Sequence, residues 1–224
     1  MNPYIRLIDS IPQMPDQLEA QLLAYANKMQ KTAAEGTPRD YKLQFLSDPD
    51  NPAMQVKYQV FRDIAAAEEQ GIPLLGFEKK KGAAGIANFG EGYFQTTHQY
   101  IKFDELPDVK EWIKENIPFK FTDSKFQIIH SGNVLLPHVD LLQEQVLKYI
   151  IEPGGENVKT SHYVPKLEFA QHAIFPSLAF PYSRLDQIGS VVIPPRAWHT
   201  LDVKTIHGVS GLETRRVCLS FKLN

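Results

Sequence analysis

His138, Val139 and Asp140 place an imidazole and a carboxylate two residues apart. On an extended chain, positions i and i+2 point the same way. His138 and Asp140 can therefore aim at one point. A second imidazole from a later strand, His199 or His207, would put two histidines and one carboxylate on the same side of a metal ion. That donor set leaves other coordination positions open and suits non-haem Fe(II). The pair Arg215-Arg216 follows, and a guanidinium is a rigid fork that grips a carboxylate through two hydrogen bonds. In residues 215–223, Arg215, Val217, Leu219, Phe221 and Leu223 share one strand face, and Arg216, Cys218 and Ser220 share the other. A barrel interior that holds a metal and a small ligand is lined by the smaller residues, so Arg216 is the interior arginine. Arg215 stands at the start of the strand, within reach of water.

Around these residues the chain is punctuated like a helical half followed by a β half. Apolar spacing predicts helices over residues 16–31, 56–70 and 104–116. A short strand is expected at 41–46, and a glycine-rich irregular stretch at 76–92. Beyond Pro118, extended segments are expected at 119–129, 134–139, 145–152, 158–164, 168–174, 188–194, 198–207 and 216–223, with a turn at 130–133. Many short strands without intervening helices point to a jelly roll or barrel. The expected organisation is a helical or mixed region, 1–118, packed on a β core, 119–224, as one compact unit.

The order His-x-Asp, then His, then Arg resembles the Fe(II)/2-oxoglutarate-dependent dioxygenases. The tail from Ile206-His207-Gly208-Val209 to Arg216-Val217-Cys218-Leu219 is most similar to the prolyl 4-hydroxylase and aspartyl/asparaginyl hydroxylase-like branch. The resemblance covers residues 124–224 and implies a double-stranded β-helix (jelly roll) with the helical N-terminal region packed on it. It selects His207 over His199, because the distal histidine and the arginine stand about ten residues apart on consecutive strands. It implies Fe(II) on His138, Asp140 and His207, with 2-oxoglutarate paired to Arg216 and O2 as oxidant. The implied reaction hydroxylates a C–H bond of an amino acid, free or in a protein, and releases succinate and CO2. Some relatives carry Ser where Cys218 stands. A second contact to 2-oxoglutarate often comes from an early barrel strand. Lys148 and Tyr149 point to opposite faces there, and Tyr149 is the preferred one.

Composition narrows the setting. The 224 residues are 43% hydrophobic, enough for one substantial core, and the net charge of −2 gives no global attraction to nucleic acid. Lys79-Lys80-Lys81 reads as a solvated loop. The lone Cys218 permits no internal disulfide and reads as a small packing residue. No apolar run approaches bilayer length and the first residues lack signal-peptide character, so a soluble cytoplasmic protein acting on a small molecule or peptide is expected. His98, His130, His162 and His172 fit no tight ligand pattern. Tyr182, Arg184 and Asp186 could rim the barrel mouth. Two alternatives compete with the hydroxylase: a cupin-like metal-binding jelly roll that does not use 2-oxoglutarate, and a non-catalytic interaction domain.

Overall fold

The computed structural model describes residues 3–35, 52–76, 96–129, 135–140, 143–176 and 178–223. The strand expected at 41–46, the lysine run at 79–81, the turn at 130–133, and nearly all of the glycine-rich stretch lie outside them. Among the described residues, ten strands form two antiparallel sheets, compatible with a β-sandwich of jelly-roll type. The larger sheet has the order β1 (Ile5–Leu7), β8 (Trp198–Asp202), β5 (Gln145–Pro153), β10 (Arg216–Leu223), β3 (Phe121–Ile129), β2 (Thr96–Tyr100). The smaller has the order β4 (Leu135–His138), β9 (Ile206–Ser210), β6 (Lys159–Pro165), β7 (Leu185–Val192). From β3 onward the chain passes repeatedly from one sheet to the other. Residues far apart in sequence are thereby brought to a shared interior. β1 and β2 come from before residue 118, yet they form the two edges of the larger sheet.

Three apolar layers follow from strand alternation. Helices α1 (Asp16–Glu35) and α3 (Pro107–Asn116) cover the outer face of the larger sheet. There Leu22, Tyr25, Val109 and Ile113 pack on Leu147, Tyr149, Val217, Leu219 and Phe221. Val146, Ile150, Leu201, Val203 and Cys218 fill part of the space between the sheets. Helix α2 (Pro52–Glu69) serves the other side, with Ile64 against Leu75, Tyr163, Phe180 and Ile206. Helices therefore pack on both sheets. Among the described residues no helix is long and apolar enough to cross a membrane.

Three expectations need correction. The helix expected over 104–116 is a 3-10 turn, Phe103–Glu105, followed by α3. Pro107 is the cause, since a residue before proline avoids the helical region, and Leu106 has φ −136° and ψ 62°. The strand expected at 168–174 is instead a 3-10 turn, Leu167–Phe169, and loop. The amides of Phe169 and His172 bond backwards, to Lys166 O and Phe169 O, and extended pairing is confined to one isolated bridge, Ala173 with Leu74. Residues 198–207 are not one strand: β8 ends at Asp202 and β9 begins at Ile206 in the opposite sheet.

His199 lies on the inner face of β8, opposite Lys148 and only 1% exposed. Burial pushes its pKa down to about 3, against the opposing pull of the Ala197 carbonyl, so the folded state holds it neutral. The unfolded chain titrates it near its ordinary value of about 6.5. Below that pH the unfolded state takes a proton that the folded state refuses. Stability then falls by about 1.4 kcal/mol per pH unit for this group, until pH approaches its folded value. Urea midpoints at pH 7.5 and 5.5 check this. His199→Asn should reduce the pH dependence by one proton, and an unchanged dependence would contradict it.

Candidate metal centre

β4 and β9 are neighbours, and His138 pairs directly with His207. The register shifts between Leu135 and His138, a bulge that the Pro137 interruption makes natural. Gly208 accommodates this bulge. A Cβ on Gly208 would stand 2.7 Å from Leu135 O and 3.2 Å from Pro137 N, so only glycine lets the strands approach this closely. The imidazole centroids of His138 and His207 are then 4.4 Å apart.

Each ring is oriented from its far side. His138 Nδ1 donates to Leu136 O at 2.7 Å, and His207 Nδ1 donates to Thr205 O at 3.0 Å. Both Nε2 atoms are left facing Asp140, with Oδ1 at 3.1 Å from His138 Nε2 and 3.9 Å from His207 Nε2. All three candidate ligand atoms lie within 4.8 Å of one another. Asp140 is held by its own amide, which donates to Val203 O at 2.9 Å, and by Gln143, whose side chain donates to Oδ2. Burial alone would raise the Asp140 carboxyl. The hydrogen bond to His138, the facing histidines and Lys125 together outweigh it and hold the group well below the usual carboxylate range. Burial pushes His207 down to about 3, which keeps its lone pair free at neutral pH. Two nitrogens and one anionic oxygen with carbonyl-fixed rings are the donor set of a divalent transition metal.

The opposite wall is cationic. Arg216 is 4% exposed on the inner face of β10, its Nε 3.4 Å from Cys218 Sγ. Lys148 is 9% exposed on the inner face of β5, opposite Ser220 and His199, and its Nζ donates to Gln127 Oε1 at 2.7 Å. Burial lowers its pKa, and it is close enough to Asp140 and Arg216 for their charges to act on it. Among the described residues neither cation has a carboxylate within ion-pair distance.

The preference for Tyr149 is corrected by its position. Tyr149 faces the helix-covered layer, its ring 4.6 Å from Trp198, and its hydroxyl sits beside Arg196 rather than in the interior. Arg215 is also outside, in a two-pronged pair with Glu152 at 2.8 Å and 2.8 Å. Arg184 is a structural brace: its Nη1 donates to the carbonyls of Leu74, Leu75 and Gly76. Tyr182 packs edge-on against Tyr163. His162 is fully buried in line with His207. The side chains of His98 and His130 and the leucines at 141 and 142 lie outside the described residues. Sequence reading passed over Gly208 and Gln143. The sole hint was a glycine directly after the candidate ligand and an amide three residues after Asp140.

Two outcomes are expected from metal titration with Co(II) or Fe(II). His138→Ala should weaken binding by at least about 100-fold, more than the loss of an outer-sphere partner costs. Gly208→Ala, which forces β4 away, should destabilise the fold by about 1–3 kcal/mol and weaken binding by about tenfold or more. Binding should also weaken as pH falls. Unchanged affinity in both variants would remove the site.

No protein-family model matches the sequence, and a search of curated proteins finds no match. Among solved structures, the chain is similar to the non-haem alpha-ketoglutarate-dependent carbocyclase SnoK from nogalamycin biosynthesis. That match has 15% identity, a TM-score of 0.41, and covers 73% of this chain and 74% of that one. It is similar to the Escherichia coli ribosomal oxygenase YcfD at 15% identity and a TM-score of 0.32, covering 54% of this chain and 29% of that one. It is also similar to procruciferin, an 11S globulin from Brassica napus, at 9% identity and a TM-score of 0.33, covering 62% and 28%. TM-scores below 0.5 leave the geometry of the site to carry the functional reading.

Proposed function

We propose that this chain is an Fe(II)- and 2-oxoglutarate-dependent oxygenase on a double-stranded β-helix. Its reaction hydroxylates a C–H bond of an amino acid, free or in a protein. The observation that carries the proposal is the pairing of two unlike walls across one interior. A two-histidine, one-carboxylate cluster stands on the smaller sheet, and two buried cations, with no carboxylate partner among the described residues, stand on the larger. A keto-diacid has matching ends: a chelating end for a metal and a second carboxylate for a cationic pocket.

His138, Asp140 and His207 would hold Fe(II), which with 2-oxoglutarate supplies O2 activation coupled to decarboxylation of the keto acid. One C–H substrate, one O2 and one 2-oxoglutarate would then give one hydroxylated product, one succinate and one CO2, with one oxygen atom in the product and the other in succinate. The chain's own residues do the rest. Arg216 and Lys148 neutralise the far carboxylate and fix its direction. The buried side chains of Ile150, Leu201 and Val203 limit water in the same space, which strengthens those charge contacts. His207, kept neutral by burial, presents a lone pair rather than a proton.

Anaerobic addition of Fe(II) and then 2-oxoglutarate should produce a visible charge-transfer absorption that neither gives alone. Metal binding with no response to 2-oxoglutarate would favour the cupin-like alternative. Arg216→Leu and Lys148→Met should each weaken 2-oxoglutarate binding by about tenfold or more, with Fe(II) affinity kept. Tyr149→Phe should leave it unchanged. As pH rises through the lowered Lys148 pKa the keto acid loses one cation, so affinity should fall, and Lys148→Arg should abolish that fall. Equal sensitivity of the Tyr149 and Lys148 variants would contradict the assignment.

A further inference from the structure

The turn joining β8 to β9, residues 202–205, contacts the candidate centre through its backbone. Val203 O accepts from the Asp140 amide at 2.9 Å, and Thr205 O accepts from His207 Nδ1 at 3.0 Å. Asp202 O accepts from Nε2 of His162 at 3.2 Å, and that ring lies 6.1 Å from the His207 ring. Two of the three candidate ligands, and a ring neighbouring one of them, thus hang on carbonyls of a single four-residue turn.

The turn is shaped by one side chain. Asp202 Oδ1 accepts from the amides of Lys204 at 2.9 Å and Thr205 at 3.0 Å, and Oδ2 accepts from Thr205 Oγ1 at 3.2 Å. The backbone is anchored on its entering side by the Asp202 amide, which donates to Tyr4 O at 2.9 Å, and the Val203 amide, which donates to Glu144 O at 3.0 Å, and on its leaving side by the pairing of Ile206 with Tyr163. With the flanks fixed, the Asp202 carboxylate determines where the intervening carbonyls point. A side chain that bonds to backbone amides two and three residues ahead is a turn-forming device. Here its consequence reaches the metal ligands, because the hydrogen bond at Nδ1 sets both the rotation of an imidazole and the position of its lone pair.

We infer that Asp202 is a positioning residue for the metal centre: by shaping the β8–β9 turn it orients Asp140 and His207 for metal binding without touching the metal. The inference rests on the metal-centre reading above. Because Asp202 is reached only through the turn, its effect is on affinity and ligand field rather than on the number of ligands.

The test is Co(II) titration of the full chain, read by visible absorption and by affinity, alongside thermal unfolding of the metal-free protein. Asp202→Ala should weaken Co(II) binding by about 10–100-fold and shift the Co(II) spectrum. Asp202→Asn keeps an oxygen that accepts both amides, so it should stay within about threefold of the unsubstituted protein. Val217→Ala, in the helix-covered layer, lowers stability without touching the turn and should leave affinity and spectrum unchanged. If Asp202→Ala does not fold, Asp202→Ser, with a single acceptor, takes its place and should weaken binding by about tenfold. Affinity and spectrum that remain unchanged, or that change equally in Val217→Ala, would overturn the inference. If the unsubstituted protein takes up no Co(II), the metal centre itself fails and this inference falls with it.

Discussion

A carboxylate oxygen stands 3.1 Å from one imidazole nitrogen and 3.9 Å from another in the space between two sheets. That convergence requires positive charge in the gap. A proton can supply it, and so can a divalent metal, which satisfies all three atoms together. Much of the surrounding structure serves to keep these atoms from relaxing apart. Backbone carbonyls fix both rings, Val203 O fixes the carboxylate's backbone, and the close contact at Gly208 keeps the two strands in register.

The same interior carries a second electrostatic demand. Lys148 and Arg216 are buried on the facing sheet, and burial of a cation without an anion is costly. Gln127 meets Lys148 only in part, through a neutral oxygen. An anionic ligand that reaches from the metal to this wall would answer both demands, whereas either wall alone would admit many explanations. The apolar layers on the outer faces hold the walls at their spacing, and no described helix contributes a side chain to the three-residue cluster.

How much of this could be read from sequence depended on whether alternation carried information. In β10 the faces differ sharply, Cys218 and Ser220 against Leu219 and Phe221, and phase alone put Arg216 inside. In β5 both faces are apolar and buried, with Val146 and Ile150 on one and Leu147 and Tyr149 on the other. Alternation there could not say which face is interior, and the preference fell on Tyr149, which faces the helix-covered layer. The His-x-Asp spacing was legible because it is local. The bulge that aligns His138 with His207, the split of residues 198–207 and the edge strand β1 are tertiary facts. A three-residue strand exists because β8 offers it an edge, not because of its own propensity.

The central claim is that one interior binds a metal on the smaller sheet and a keto-acid's far carboxylate on the larger. Diffraction from crystals grown anaerobically with Fe(II) and 2-oxoglutarate, with anomalous data at the iron edge, tests it directly. The account predicts a single iron peak among His138, Asp140 and His207, with the free carboxylate of the keto acid within hydrogen-bond distance of Arg216 and Lys148. Iron bound elsewhere, or a keto acid that leaves both cations uncontacted, would contradict it.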